Sequence, residues 1–187
     1  IKAGQPTAIF EDPFPRFVNA PPTAADFGTA RQKCDIRRLW EVLGVTYTTE
    51  PSPDGRASTD DAPSIIYQEY NPYPVVEEFA RTPEFVFASP AADGAVFEEA
   101  ISVTSPITSG LDQLLFAYSG AINNVKSKGM NFEPLVMTGN LTGTISWPNL
   151  QKAEQEVANN RNVERSLVYG RYRSAKGDRY CLAAKIS

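Results

Sequence analysis

The sequence predicts a mixed α/β fold, a mixed sheet flanked by a few helices. Three observations lead there. A helical stripe, a glycine and a β-branched run follow one another over residues 30–48, which is the joint of an α/β unit. Several further apolar runs are strand-sized and end at Pro, Gly, Asn or Asp. Only one other stretch, 149–158, has helical periodicity. Two helices are too few for a complete doubly wound domain of 187 residues, so we read residues 1–187 as a single soluble α/β domain that is an incomplete piece of a longer protein. The missing elements are expected upstream of Ile1.

The elements follow in order. Gln5 to Glu11 (QPTAIFE) reads as a short buried strand stopped by Asp12-Pro13. Four prolines between residues 12 and 26 (13, 15, 21 and 22) make that stretch a loop, because proline fixes φ and removes a donor. In 30–43, Ile36, Leu39, Trp40 and Leu43 recur at i, i+3, i+4 and i+7, with Arg31, Lys33, Arg37, Arg38 and Glu41 on the other faces. Gly44 is placed to cap this helix in the left-handed conformation, and Val45 to Thr48 resumes an extended chain. Residues 50–63 are turn-rich and charged, an exposed loop. Strands are predicted at 64–70, 84–88, 113–118 and 132–138. The 149–158 helix carries Leu150, Ala153 and Val157 on one face. Two terminal strands, 166–173 and 179–186, are joined by a hairpin-like turn at 174–178.

Composition narrows the chemistry. The chain has no histidine, which removes the side chain that titrates near neutrality and the commonest metal ligand. Ser-His-Asp and Cys-His catalysis and His-based metal sites are thereby excluded. Neither Gly-x-Gly-x-x-Gly nor the P-loop pattern occurs, nor Cys-x-x-Cys nor Gly-x-Ser-x-Gly, so no cofactor or metal is expected. The net charge of −4, with only the Arg37-Arg38 pair and scattered C-terminal basic residues, argues against a nucleic-acid surface. No apolar run approaches the roughly 18 residues of a membrane-spanning helix. Cys34 and Cys181 read as small core residues, and a bridge between them stays open.

Three groups remain as candidate sites. Glu11 and Asp12 end the first predicted strand, where α/β sheets bind ligands, yet neighbours in an extended strand point to opposite faces and Asp before Pro is ordinary turn chemistry. Glu77-Glu78 and Glu98-Glu99 are acidic pairs that could serve a carboxylate-only hydrolase, or be solvated faces. Tyr67, Tyr70, Tyr73 and Phe79 form an aromatic-rich segment that could stack on sugars or receive a partner chain, or simply pack in the core; Tyr73, between two prolines, is its expected exposed ring. Asn140-Leu141-Thr142 matches the glycosylation triplet, which arises often by chance.

Four phrases in order resemble the auxiliary components of gliding-motility-type ABC transport systems. Ile1 to Pro13 (IKAGQPTAIFEDP) is similar to their helix-end, Gly, strand, Asp-Pro stretch, with Gln5 and Glu11 replacing a second Gly and a Val. Ile36 to Val45 (IRRLWEVLGV) is similar to a helix ending in Leu-x-x-x-Gly-Val. Ser105 to Leu111 (SPITSGL), followed by Leu115 to Gly120, resembles a His-Pro-Ile-Thr-x-Gly-Leu region, with Ser105 where His is frequent. Tyr180 to Ile186 (YCLAAKI) resembles the closing strand. Residues 50–63 and 140–165 match nothing in that pattern. The resemblance implies a periplasmic domain of a membrane-anchored protein, partnered through its parent with ABC permease or ATPase subunits. It also implies a fold related to the class I glutamine amidotransferase-like group, without the Cys-His chemistry that this chain cannot supply. It carries over no catalytic residue. The expectation is a non-catalytic ligand- or partner-binding domain, with Glu11, Asp12 and Tyr73 as candidate contacts for a small-molecule or glycan ligand. Carbohydrate or envelope-polymer binding is the first alternative and a carboxylate-dependent hydrolase the second.

Overall fold

A computed structural model describes residues 6–10, 36–47, 64–89, 100–125, 130–160 and 162–187. In chain order the elements are α1 (Arg37–Leu43), β1 (Val45–Tyr47), β2 (Ser64–Gln68), α2 (Glu77–Arg81), β3 (Phe85–Ala88), β4 (Leu114–Ala117), β5 (Ile122–Asn124), β6 (Phe132–Met137), β7 (Thr142–Ser146), α3 (Trp147–Asn159), α4 (Arg165–Gly170) and β8 (Cys181–Ile186). The fold is mixed α/β. Among the described residues the strands form four two-stranded antiparallel ladders, β1–β5, β2–β7, β3–β4 and β6–β8, in place of one mixed sheet.

β2 organises the interior. All five of its residues are buried, and it pairs with β7 from Ser64↔Ser146 to Gln68↔Thr142. Successive side chains of a strand point to opposite faces. Ile65 therefore packs with Ile145, Leu150, Ala153, Val168 and Tyr169, a core closed by α3 and α4. Ile66 enters the second core with Val86, Ala88, Ile101, Leu135, Val136 and Leu182. One strand serves both.

The Gln68 side chain joins β2 to β3. Its Nε2 donates to the Phe87 carbonyl at 3.1 Å and its Oε1 accepts the Phe87 N–H at 2.7 Å. A primary amide presents the same donor–acceptor pair as a peptide group, so this side chain substitutes for a stretch of ladder inside the core.

β6 and β8 pair with a register irregularity around Leu135. Pro134, which has no N–H, sits at its edge, where proline is tolerated in a sheet. The chain at 100–102 runs along β6: Met137 N donates to Ala100 O, and Ser102 N to Leu135 O, each at 2.8 Å.

Several expectations change. The described part of the predicted 5–11 strand, residues 6–10, has no regular structure and is exposed, with Phe10 at 96%. An isolated strand is not stable without a ladder, and no described residue supplies one. Residues 166–173 were expected as a strand, yet 165–170 are helical. There, Arg165 and Tyr169, one turn apart, pair through a 3.0 Å hydrogen bond and a cation–π contact, while Val168 and Tyr169 are buried beneath. Packing overrides the β preference of Leu, Val and Tyr. With that strand gone, 174–178 is not a hairpin turn; it runs beside β7, with Ser174 N donating to Thr144 O and Gly177 N to Thr142 O. Gly44 does cap α1 in the left-handed region (φ 65°, ψ 36°), its N–H directed to the Glu41 and Trp40 carbonyls.

A half-open apolar cleft and its surroundings

The two halves of the α1–β1 hinge form one wall of a cleft of about 1160 Å³. The apolar stripe of α1 is not packed into a core. No residue of α1 is fully buried, and Leu39, Trp40 and Leu43 face the cleft instead. Trp40 stands edge-on to Tyr47 of β1, ring centroids 4.6 Å apart and planes at 89°, the arrangement favoured by the ring quadrupoles. β4, the turn at 105–111 and residues 6–10 also line the cleft, and β8 contributes Leu182, Ala184 and Ile186.

The turn is fixed by its own polar groups. The Thr108 hydroxyl donates to Ser102 O at 2.6 Å, and Ser105 O accepts the Ser109 N–H at 2.9 Å. These bonds spend the polar atoms locally and present Ile107 and Leu111 outward, 61% and 40% exposed. No described lining residue is Asp, Glu, Lys or Arg.

Tyr73 is half-exposed, as expected, at 42%. Its backbone N–H bonds the Asn71 side chain at 2.8 Å, an Asx turn, and its hydroxyl donates to Gln113 Oε1 at 2.7 Å. The ring leans at 52° on Phe79 and 59° on Phe87, and Phe79 meets Phe85 and Phe87 edge-on. This is a herringbone cluster and offers no coplanar platform of the kind that stacks on sugars. Tyr67, from the same segment, lies in the core.

Of the acidic candidates only Glu77 and Glu78 are described. Glu11, Asp12, Glu98 and Glu99 lie outside the described residues, as does Cys34. Glu77 and Glu78 open α2 on the surface, and Glu77 pairs with Arg81 one turn on. Among the described residues no group of three or more Cys, Asp or Glu is placed to hold a metal ion. Cys181 is a free buried thiol. Its S–H donates to Ala183 O at 3.2 Å, and burial pushes the thiol up to about 11, which keeps it protonated at neutral pH.

One charged cluster escaped the sequence reading. The Arg173 guanidinium lies 4.7 Å from the Tyr67 ring centroid and 4.8 Å from that of Tyr169, and it pairs with Glu84 at 2.7 Å. Tyr67 Oη donates to Ser174 O at 2.6 Å. Desolvation raises the pKa of both tyrosines above the ordinary value. The Glu84 side chain is 3% exposed and that of Arg173 14%. These contacts tie the C-terminal segment to β2 and the start of β3, with Arg173 Nε left buried without a hydrogen-bond partner. Only the spacing of Arg165, Tyr169 and Arg173, at successive helical intervals, hints at it in the sequence.

No protein-family profile, no curated protein and no solved structure matches this chain. Among the described residues no helix is long and apolar enough to cross a membrane.

Proposed function

We propose that the chain is a non-catalytic, extracytoplasmic binding domain of an ABC-transport auxiliary component, and that the apolar cleft is its recognition surface. The carrying observation is the cleft itself. Its described walls are mainly hydrocarbon and aromatic side chains with a few hydroxyls, from Thr7, Thr46, Thr108, Ser119 and Ser187, the composition of a site that binds largely by shape and desolvation. α1 supports the same reading, because its apolar stripe faces the cleft and no other described element packs over it. The transport setting draws on the four ordered phrases, each of which supplies residues that line the cleft. The same phrases support a kinship with the amidotransferase-like fold.

The test is co-purification of the membrane-anchored parent, in mild detergent, with the permease and ATPase encoded beside it. Recovery of those subunits from the native parent, and their reduced recovery when Leu39 and Leu43 are changed to Ser, is the expected result. Recovery of neither subunit refutes the transport setting.

A further inference from the structure

We infer that the cleft takes an uncharged, mainly hydrocarbon small molecule, an inference that rests on reading the cleft as the recognition surface. Charge is the first argument. About one residue in five of the chain is charged, 21%, yet none of the described lining residues is. A carboxylate, sulfonate or ammonium carried into such walls would lose its hydration with no partner in return. Polar groups in the lining are hydroxyls without charge. Thr108 has its hydroxyl committed to Ser102 O, whereas the buried Ser119 hydroxyl has no partner and is the group placed to orient a neutral ligand.

Shape is the second argument. The space is a concavity lined by α1, β1, β4, β8 and the 6–10 and 105–111 segments, and about 1160 Å³ is somewhat larger than the ~300–1,000 Å³ typical of ligand pockets. Protein–protein patches are flatter. The volume suits an extended chain or a fused ring system better than a compact metabolite. Leu115, 47% exposed, and Ile107, 61%, carry the apolar surface out to the mouth, where the end of a long hydrocarbon would emerge.

The two tryptophans make this directly measurable. Trp40 lines the cleft, whereas Trp147 packs against the other core. We would titrate the chain with N-phenyl-1-naphthylamine, which is neutral, and with 1-anilinonaphthalene-8-sulfonate, the same ring system carrying a charge. The expected result is saturable binding of the neutral probe at one site, at least tenfold tighter than the sulfonate. Energy transfer from tryptophan to the probe should fall more in Trp40→Phe than in Trp147→Phe, and Ala184→Trp should weaken binding at least tenfold. Equal affinity for both probes, transfer that follows Trp147, or non-saturable uptake overturns the inference. So does a concentration-dependent dimer that the probe breaks, which would make a second copy the occupant. Should Ala184→Trp not fold, the charge comparison and the transfer experiment still decide. Probe binding without recovery of transporter subunits would sink only the transport setting, and the reverse would sink only the ligand class.

Discussion

Replacing Arg173 by Met tests whether the Glu84–Arg173 pair holds the C-terminal segment in place. Methionine keeps the length and the apolar stem and removes only the charge and its donors. Glu84 would then be a carboxylate with 3% of its side chain exposed and no cation beside it. Breaking a buried pair from one side costs about 3–5 kcal/mol, and two cation–π contacts, each ~0.5–2 kcal/mol, go with it. Single domains are stable by only about 5–15 kcal/mol, so the loss is a large share of the total. With a urea slope of about 2–3 kcal/mol/M, a 4 kcal/mol loss lowers the unfolding midpoint by roughly 1.3–2 M. The double variant Arg173→Met, Glu84→Gln removes the orphaned charge, and we expect it to recover half or more of the loss. Urea unfolding of the native chain, both single variants and the double variant gives the cycle. A single-variant loss under about 1 kcal/mol, or a double variant no more stable than Arg173→Met, refutes the reasoning.

Three other outcomes follow from the same geometry. A Cβ at Gly143 would sit 2.7 Å from Tyr67 Cε1 and 2.9 Å from Cζ; the ring cannot swing aside because Ser174 holds its hydroxyl, so Gly143→Ala should cost about 1–3 kcal/mol by thermal unfolding. Gln68→Leu leaves the Phe87 N–H and carbonyl unpaired in the core, and we expect a loss of about 2–5 kcal/mol together with faster hydrogen exchange at the Phe87 amide. Stability should fall as pH rises from 9 toward 11: the Cys181 thiol titrates at about 11 in the folded chain against 9.0 unfolded, so the native state holds the extra proton in that window and ΔG of unfolding declines with pH. The lost contribution is on the order of 2 kcal/mol, the raised tyrosines add to the decline above pH 10, and Cys181→Ala should flatten the 9–11 segment in pH-dependent urea unfolding.

The sequence was readable where a local signal coincides with the tertiary outcome. β2, β3, β4, β6 and β8 lie within the apolar runs that predict them, and α1, Gly44 and β1 follow the stripe–glycine–extended order. It was unreadable where a distant partner decides. Thr142–Ser146, to which the sequence assigns no element, is a buried strand because β2 pairs with it and Tyr67 occupies the space over Gly143. Residues 165–170 are rich in strand formers, but the cation–aromatic ladder of Arg165, Tyr169 and Arg173 exists only at helical spacing. The α1 stripe is plain in the sequence; that it borders a cleft, and not a packed core, depends on β4 and β8, which follow far along the chain at Leu114–Ala117 and Cys181–Ile186. Of the three candidate contacts, Tyr73 is exposed as its flanking prolines suggest, and its neighbours make it part of a herringbone cluster.

The shared strand has a mechanical consequence. Ile65 and Ile66 are one peptide bond apart and belong to different interiors, so neither interior can loosen without tugging on the backbone of the other. A solvent or temperature change that melts one side should drag its neighbour along in a single sweep. An occupant pressed into the cleft, which borders the Leu135 and Leu182 interior, would by the same linkage stiffen the helices on the far flank, giving the molecule a route by which what it holds can be felt where it is not held.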